Sequence, residues 1–215
     1  MYFHASILGL LLATSSSAIP ITEANRRQLG SSINESDLTS GVACKAVTVI
    51  FARGTTEMGN VGSVAGPPFF AALATDIGAG NLAVQGVNYA ADIPGFLEGG
   101  DPTGSSSMAA LVSQAQTQCP STKIVLSGYS QGGQLVHNTA KTLTSAQTAA
   151  VAAVVIFGDP DNGEAVGSIP SSNVLIICHA GDDICAHGDS ILAPHLTYGQ
   201  DASTAASFVA KLVGS

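Results

Sequence analysis

The stretch that most constrains this chain runs from Ile124 to Gly133. An apolar run, Ile124 to Leu126, leads directly into Gly128-Tyr129-Ser130-Gln131-Gly132, and a helix-compatible segment from Gln131 to about Leu143 leads away. Strand, sharp turn and helix is the reading, and a G-x-S-x-G at such a turn holds a serine hydroxyl up above the end of a sheet. Gly128 and Gly132 lack a Cβ that would collide with the neighbouring strand and helix, so the backbone can turn tightly there.

Around that unit, strands alternate with helices. Apolar runs at 46–51, 82–87, 151–157 and 173–177 read as strands, and 66–77, 105–118 and 201–213 read as helices. The stretch 88–104, rich in Gly, Pro and Asp, reads as irregular. The strands are apolar throughout rather than alternating. That pattern predicts one α/β domain, with a central, mostly parallel sheet flanked by helices on both faces.

Residues 1–18 read as a secretory signal peptide, with an apolar core from Phe3 to Leu12 and a small-residue stretch ending Ser16-Ser17-Ala18. That core is too short to span a bilayer. Arg26-Arg27 offers a second processing site, so 19–40 is expected to be a propeptide or flexible arm and 41–215 the folded domain. Asn34-Glu35-Ser36 is a glycosylation sequon within that arm.

Cys44, Cys119, Cys178 and Cys185, behind a secretion signal, point to disulfides, and they lack the paired C-x-x-C spacing of a zinc site. Three pairings are possible. The short loop between Cys178 and Cys185 favours that pair, which leaves Cys44 with Cys119. No metal or cofactor is expected. A formal net charge of −8 disfavours nucleic acid and anionic lipid as partners. With charged residues only 10% of the chain, the surface is one of small uncharged side chains, compatible with contact at an apolar, insoluble material. A secreted monomer is expected.

A serine hydroxyl is a poor nucleophile near neutral pH and needs a base within reach, itself oriented by an acid. On a fold carrying this turn the chain order is Ser, then Asp or Glu, then His. His137, His179, His187 and His195 follow Ser130. His137 lies on the helix leaving the turn and reads as a surface or packing residue. His195 lies after the last strand and before the last helix, where a loop can carry it over the serine. The acid candidates are Asp159, Asp182, Asp183 and Asp189. Asp182 sits in the Cys178–Cys185 loop, which a disulfide would pin; Asp159, followed by Pro160, fits a turn as well, and Asp183 reads as the solvated neighbour. Backbone amides for an oxyanion would come from Gln131 and from the loop near Thr55.

Ala-Arg-Gly-Thr-Thr-Glu at 52–57, Gly-Tyr-Ser-Gln-Gly at 128–132, Cys-x-x-Gly-Asp-x-x-Cys at 178–185 and Pro-His-Leu at 194–196 resemble the cutinase family of secreted serine esterases. The resemblance covers nearly the whole chain behind the leader. It implies a lidless α/β-hydrolase with Ser130 as nucleophile, Asp182 as acid, His195 as base, and Thr55 with Gln131 as the oxyanion hole. It also implies Cys44–Cys119 and Cys178–Cys185 bridges, and hydrolysis of cutin polyester and short-chain acyl esters through an acyl-enzyme. Ile93, Pro94, Phe96 and Leu97 on one loop, with Ile191 and Leu192 on another, would flank the substrate crevice. Thr55 stands where several members carry serine. The alternatives are an acetylxylan esterase or lipase on the same frame, and a non-catalytic secreted surface-binding protein.

Overall fold

The computed structural model describes residue 1 and residues 29–214. The expected signal peptide and the Arg26-Arg27 site fall on residues outside these, Met1 apart. Five strands form one sheet: β1 (Val47–Ala52), β2 (Leu82–Gly86), β3 (Lys123–Tyr129), β4 (Val151–Phe157) and β5 (Val174–Ile177). Their order is β2-β1-β3-β4-β5, and every neighbouring pair is parallel. Ala52 lies opposite Gly128 and Tyr129 opposite Phe157, so β1, β3 and β4 end level and their following loops meet at one rim. The carboxyl rim of a parallel sheet is where open α/β folds place their sites.

The continuous apolar runs are explained by cover on both faces. Val49, Phe51, Val125, Val155 and Phe157 pack toward α1 (Gly66–Ile77) and α6 (Ala202–Val213). Their alternates Ile50, Ala52, Leu126, Val154 and Ile156 pack toward α3 (Pro102–Gln118) and α4 (Gln131–Thr142). Neither face meets water, so no polar alternation is required.

The stretch expected to be irregular is more ordered than its composition suggested. It holds α2 (Ile93–Leu97) and the first turn of α3, and each starts at an aspartate followed within two residues by proline. Asp92 accepts from the Gly95 N–H and Asp101 from the Gly104 N–H, so N-caps compensate for the glycines. A further helix, α5 (Ser145–Ala150), was not anticipated, although Thr144 and Gln147 form a capping box that the sequence spells out.

Disulfides join Cys44 to Cys119 and Cys178 to Cys185. From residue 29 onward the stretch expected as a flexible arm packs on the domain. Leu38 is buried, Ser36 bridges antiparallel to Gln85, and the Gly86 N–H donates to the Glu35 carbonyl at 2.9 Å. Asp37 donates its N–H to Val84 and accepts the Val84 N–H through its carboxylate. This segment covers the outer edge of β2. No helix among the described residues is long and apolar enough to cross a membrane.

Candidate active site

Ser130 occupies the turn between β3 and α4 with φ 56° and ψ −124°, a conformation costly for a residue with a side chain. The turn is held by the Ser130 N–H donating to the Phe157 carbonyl (2.9 Å) and the Gly133 N–H donating to the Ser130 carbonyl (2.7 Å). A Cβ on Gly128 would run into the Gly132 backbone, and one on Gly132 into the Ala52 carbonyl. Both glycines are therefore required by close approach of main chain.

Asp182 and His195 come from loops beyond β5 and meet at the same rim. His195 Nδ1 lies 2.8 Å from Asp182 Oδ2, and both side chains are buried. A carboxylate only accepts, so Nδ1 carries the proton and the Nε2 lone pair is left free. Among the described residues Nε2 has no hydrogen-bond partner, Ser130 included, although Ser130 and His195 line the same cleft. The Tyr198 hydroxyl donates to Asp182 Oδ2 at 2.6 Å, and Asp182 Oδ1 accepts from the Ile184 N–H at 3.1 Å. Tyr129 stacks on the imidazole with ring centroids 5.0 Å apart and donates its hydroxyl to the His195 carbonyl at 2.8 Å. Burial pushes both phenols above their ordinary range, helped by the Asp182 charge, so each stays a donor. Gly158, at φ 58°, leaves the space that the His195 and Tyr198 rings occupy.

Thr55 and Gln131 face each other across the mouth of the turn. Gln131 Nε2 donates to Thr55 Oγ1 at 2.9 Å and to the Asp92 carbonyl at 2.8 Å, linking the 53–57 loop to the start of α2. The loop owes its shape to Glu57, to which residue-by-residue reading assigned no role. Its carboxylate accepts from Gly54 N–H (2.8 Å), Ser63 N–H (2.8 Å) and Val64 N–H (3.0 Å). Arg53 donates to the carbonyls of Glu57, Tyr89 and Ala90, closing the base of the loop. A lone acid beside two threonines and two glycines was the only signal for this.

The cleft above Ser130 has a volume of about 480 Å³. Ile93, Phe96, Leu97 and Ile191 line it, and Val64 and Leu196 add to its apolar wall. Pro94 and Leu192 do not line it; Pro94 starts α2 and Leu192 points to solvent at 46% exposure. Ile93, Leu97 and Ile191 are each more than half exposed, so these apolar side chains form a rim rather than core.

The other candidate acids and bases are engaged elsewhere. Asp159 is fully buried against His137 (2.9 Å), which is a core residue on α4 rather than a surface one. Asp183, expected to be solvated, is half-buried and accepts from the Ser190 N–H at 3.0 Å. Asp189 lies at the cleft mouth. His187 Nδ1 contacts the Pro160 carbonyl at 2.8 Å, and His179 lies between Pro194 and Asp201. Among the described residues no cluster of His, Cys, Asp or Glu is arranged to hold a metal.

Comparison with known proteins gives similarity along most of the chain. A family model described as Cutinase matches residues 43–213. A cutinase of Monilinia fructicola is 62% identical over 173 residues, 80% of this chain and 86% of the relative. A cutinase of Botryotinia fuckeliana is 57% identical over 172 residues, covering 80% and 85%. Among solved structures, Trichoderma reesei cutinase in complex with a phosphonate inhibitor superposes with a TM-score of 0.81 at 45% identity, over 90% of this chain and 85% of that one. An acetyl xylan esterase superposes with a TM-score of 0.66 at 28% identity, over 80% of this chain and all of the other.

Proposed function

This chain belongs to the cutinase family, and on that premise we propose that it is a secreted carboxylic-ester hydrolase that cleaves cutin and short-chain acyl esters with Ser130, Asp182 and His195. The observation that carries the reading is His195, fixed by Asp182 on Nδ1 and left with a bare Nε2 in the cleft that Ser130 lines. His195 Nε2 takes the Ser130 proton as Oγ attacks the ester carbonyl. The oxyanion is met by the Gln131 amide at the start of α4 and by Thr55, while Asp182 stabilises the imidazolium. His195 then protonates the leaving alcohol, giving the acyl-enzyme. Water, deprotonated by the same Nε2, releases the acid and restores Ser130.

The apolar rim of Ile93, Leu97 and Ile191 supports an acyl chain longer than acetyl and contact with an insoluble polyester. These groups would meet the substrate surface directly, with the protein acting as a monomer. The disulfides and the leader at 1–18 support secretion. The test is Ser130→Ala assayed on p-nitrophenyl butyrate and on purified cutin. Turnover should fall by roughly 10⁶-fold with the fold intact, and appreciable residual hydrolysis would rule the mechanism out. Faster release of acetate from acetylated xylan than of longer acids from a graded ester series would instead favour the acetylxylan esterase reading.

A further inference from the structure

His179, which has no part in the chemistry above, has an acceptor oxygen on each ring nitrogen. Its Nδ1 lies 2.9 Å from the Pro194 carbonyl oxygen and its Nε2 lies 2.7 Å from Asp201 Oδ2. Thr197 Oγ1 is 3.1 Å from Nδ1 and 2.9 Å from the same Pro194 carbonyl, so its one proton can serve either acceptor. A carbonyl and a carboxylate accept and never donate, so the ring holds Pro194 and Asp201 at once only with a proton on each nitrogen, as the cation.

The ring touches both supports of the acid–base pair. Pro194 is the residue before His195, so the carbonyl that His179 grips belongs to the main chain entering the base. His179 also lies flat on Tyr198, with centroids 4.1 Å apart and 19° between planes. The Tyr198 hydroxyl accepts from the His179 backbone N–H at 3.0 Å while donating to Asp182. A cation on the face of a phenol is attracted to it.

We propose that His179, kept charged by Asp201, is a positioning residue that clamps the His195 loop and Tyr198 onto Asp182, and that loss of its proton lowers activity on the alkaline side. This rests on the assignment of Ser130, Asp182 and His195 made above. The titratable groups around it are Asp201 and Tyr198 from the turn leading into α6, Asp182 from its own loop, and His195, which packs edge-on against the same Tyr198 ring at 5.9 Å. Burial opposes the charge, but the Pro194 carbonyl, Asp201 and then Asp182 outweigh it, holding the imidazole above its ordinary range. His179 and Asp201 side chains are 23% and 25% exposed, so the proton exchanges with solvent. Once it leaves, Nε2–H stays on Asp201, Nδ1 can only accept, with the Thr197 hydroxyl in reach, and the Pro194 carbonyl loses its ring donor.

The test combines kcat and KM for p-nitrophenyl butyrate from about pH 5 to 10 with NMR titration of the His179 ring. Wild-type protein, Asp201→Asn, His179→Gln and Ser130→Ala are compared. The wild-type rate should turn down on the alkaline side where the His179 ring titrates. Asp201→Asn should move both the downturn and the ring titration to lower pH together. His179→Gln should lower kcat about tenfold, with little change in KM, and lose that downturn. A downturn that stays in place when Asp201→Asn shifts the ring, or an unchanged profile in His179→Gln, overturns the clamp. If His179→Gln fails to fold, Asp201→Asn decides the matter. Ser130→Ala separates the two readings: an active Ser130→Ala sinks the triad, whereas an inert one beside an unmoved downturn sinks the clamp alone.

Discussion

Tyr198 and His195 share one oxygen of Asp182: the phenol donates to Oδ2 at 2.6 Å and the imidazole Nδ1 lies 2.8 Å from the same atom. The carboxylate is thereby held from two directions, with Ile184 N–H on its other oxygen. The base depends on a residue that never reaches the substrate.

Tyr198→Phe removes one of those donors and leaves the His179 backbone N–H without its acceptor. The expected cost is about 1–3 kcal/mol of stability, since both groups are buried or half-buried. The lower kcat should come with little change in KM. Urea unfolding and steady-state kinetics check both.

Gly158→Ala adds a methyl where the His195 and Tyr198 rings pack, at a φ of 58° that side chains disfavour. The rings must shift, so kcat should drop more than tenfold for a destabilisation of about 1–3 kcal/mol. A crystal structure of the variant should show His195 displaced. Wild-type rates would show that the imidazole position is not set by this packing.

Glu57→Gln keeps the size of the side chain but loses the charge and replaces one acceptor oxygen with a donor. Gly54 on one oxygen, and Ser63 with Val64 on the other, cannot all remain bonded. Because this loop carries Thr55, kcat should fall, by at most the roughly 3 kcal/mol typical of losing one oxyanion donor. The rate at which an organophosphonate probe labels Ser130 should fall in parallel.

Glu35 provides the stability test by pH. Burial, opposed by a Ser32 hydrogen bond and aided by Asp37, raises its carboxyl from 4.5 to about 7. The folded chain therefore keeps a proton that the unfolded chain has lost between those values, so stability falls as pH rises through that window. Glu35→Gln should flatten this part of the profile. Urea midpoints taken at about pH 5 and pH 7.5 measure the difference, and equal slopes for the two proteins would contradict it.

Much of this was written in the chain. The turn at Ser130 and the parallel sheet could be read because glycine spacing and unbroken apolar runs are local features. Asp182 was read from a loop that a disulfide pins after the last strand, and His195 from its place before the last helix. What stayed hidden was pairing between distant residues. Asp159 follows a strand and read as a turn residue; only the fold shows it buried against His137. Glu57 and Tyr198 act through backbone groups and a second carboxylate, which no spacing rule encodes. The packed 29–40 segment was misleading for another reason: its polar composition hides how few apolar contacts, chiefly Leu38, are needed to dock it.

That docked segment occupies the outer edge of β2. Residues 35–37 are hydrogen-bonded along β2, and the opposite edge of the sheet is β5, four residues long. Proteolytic trimming past Asp37 would present the outer backbone of β2 to any neighbour able to add a strand. A chain trimmed past Asp37 should therefore self-associate more readily at high concentration than one that keeps residues 35–37.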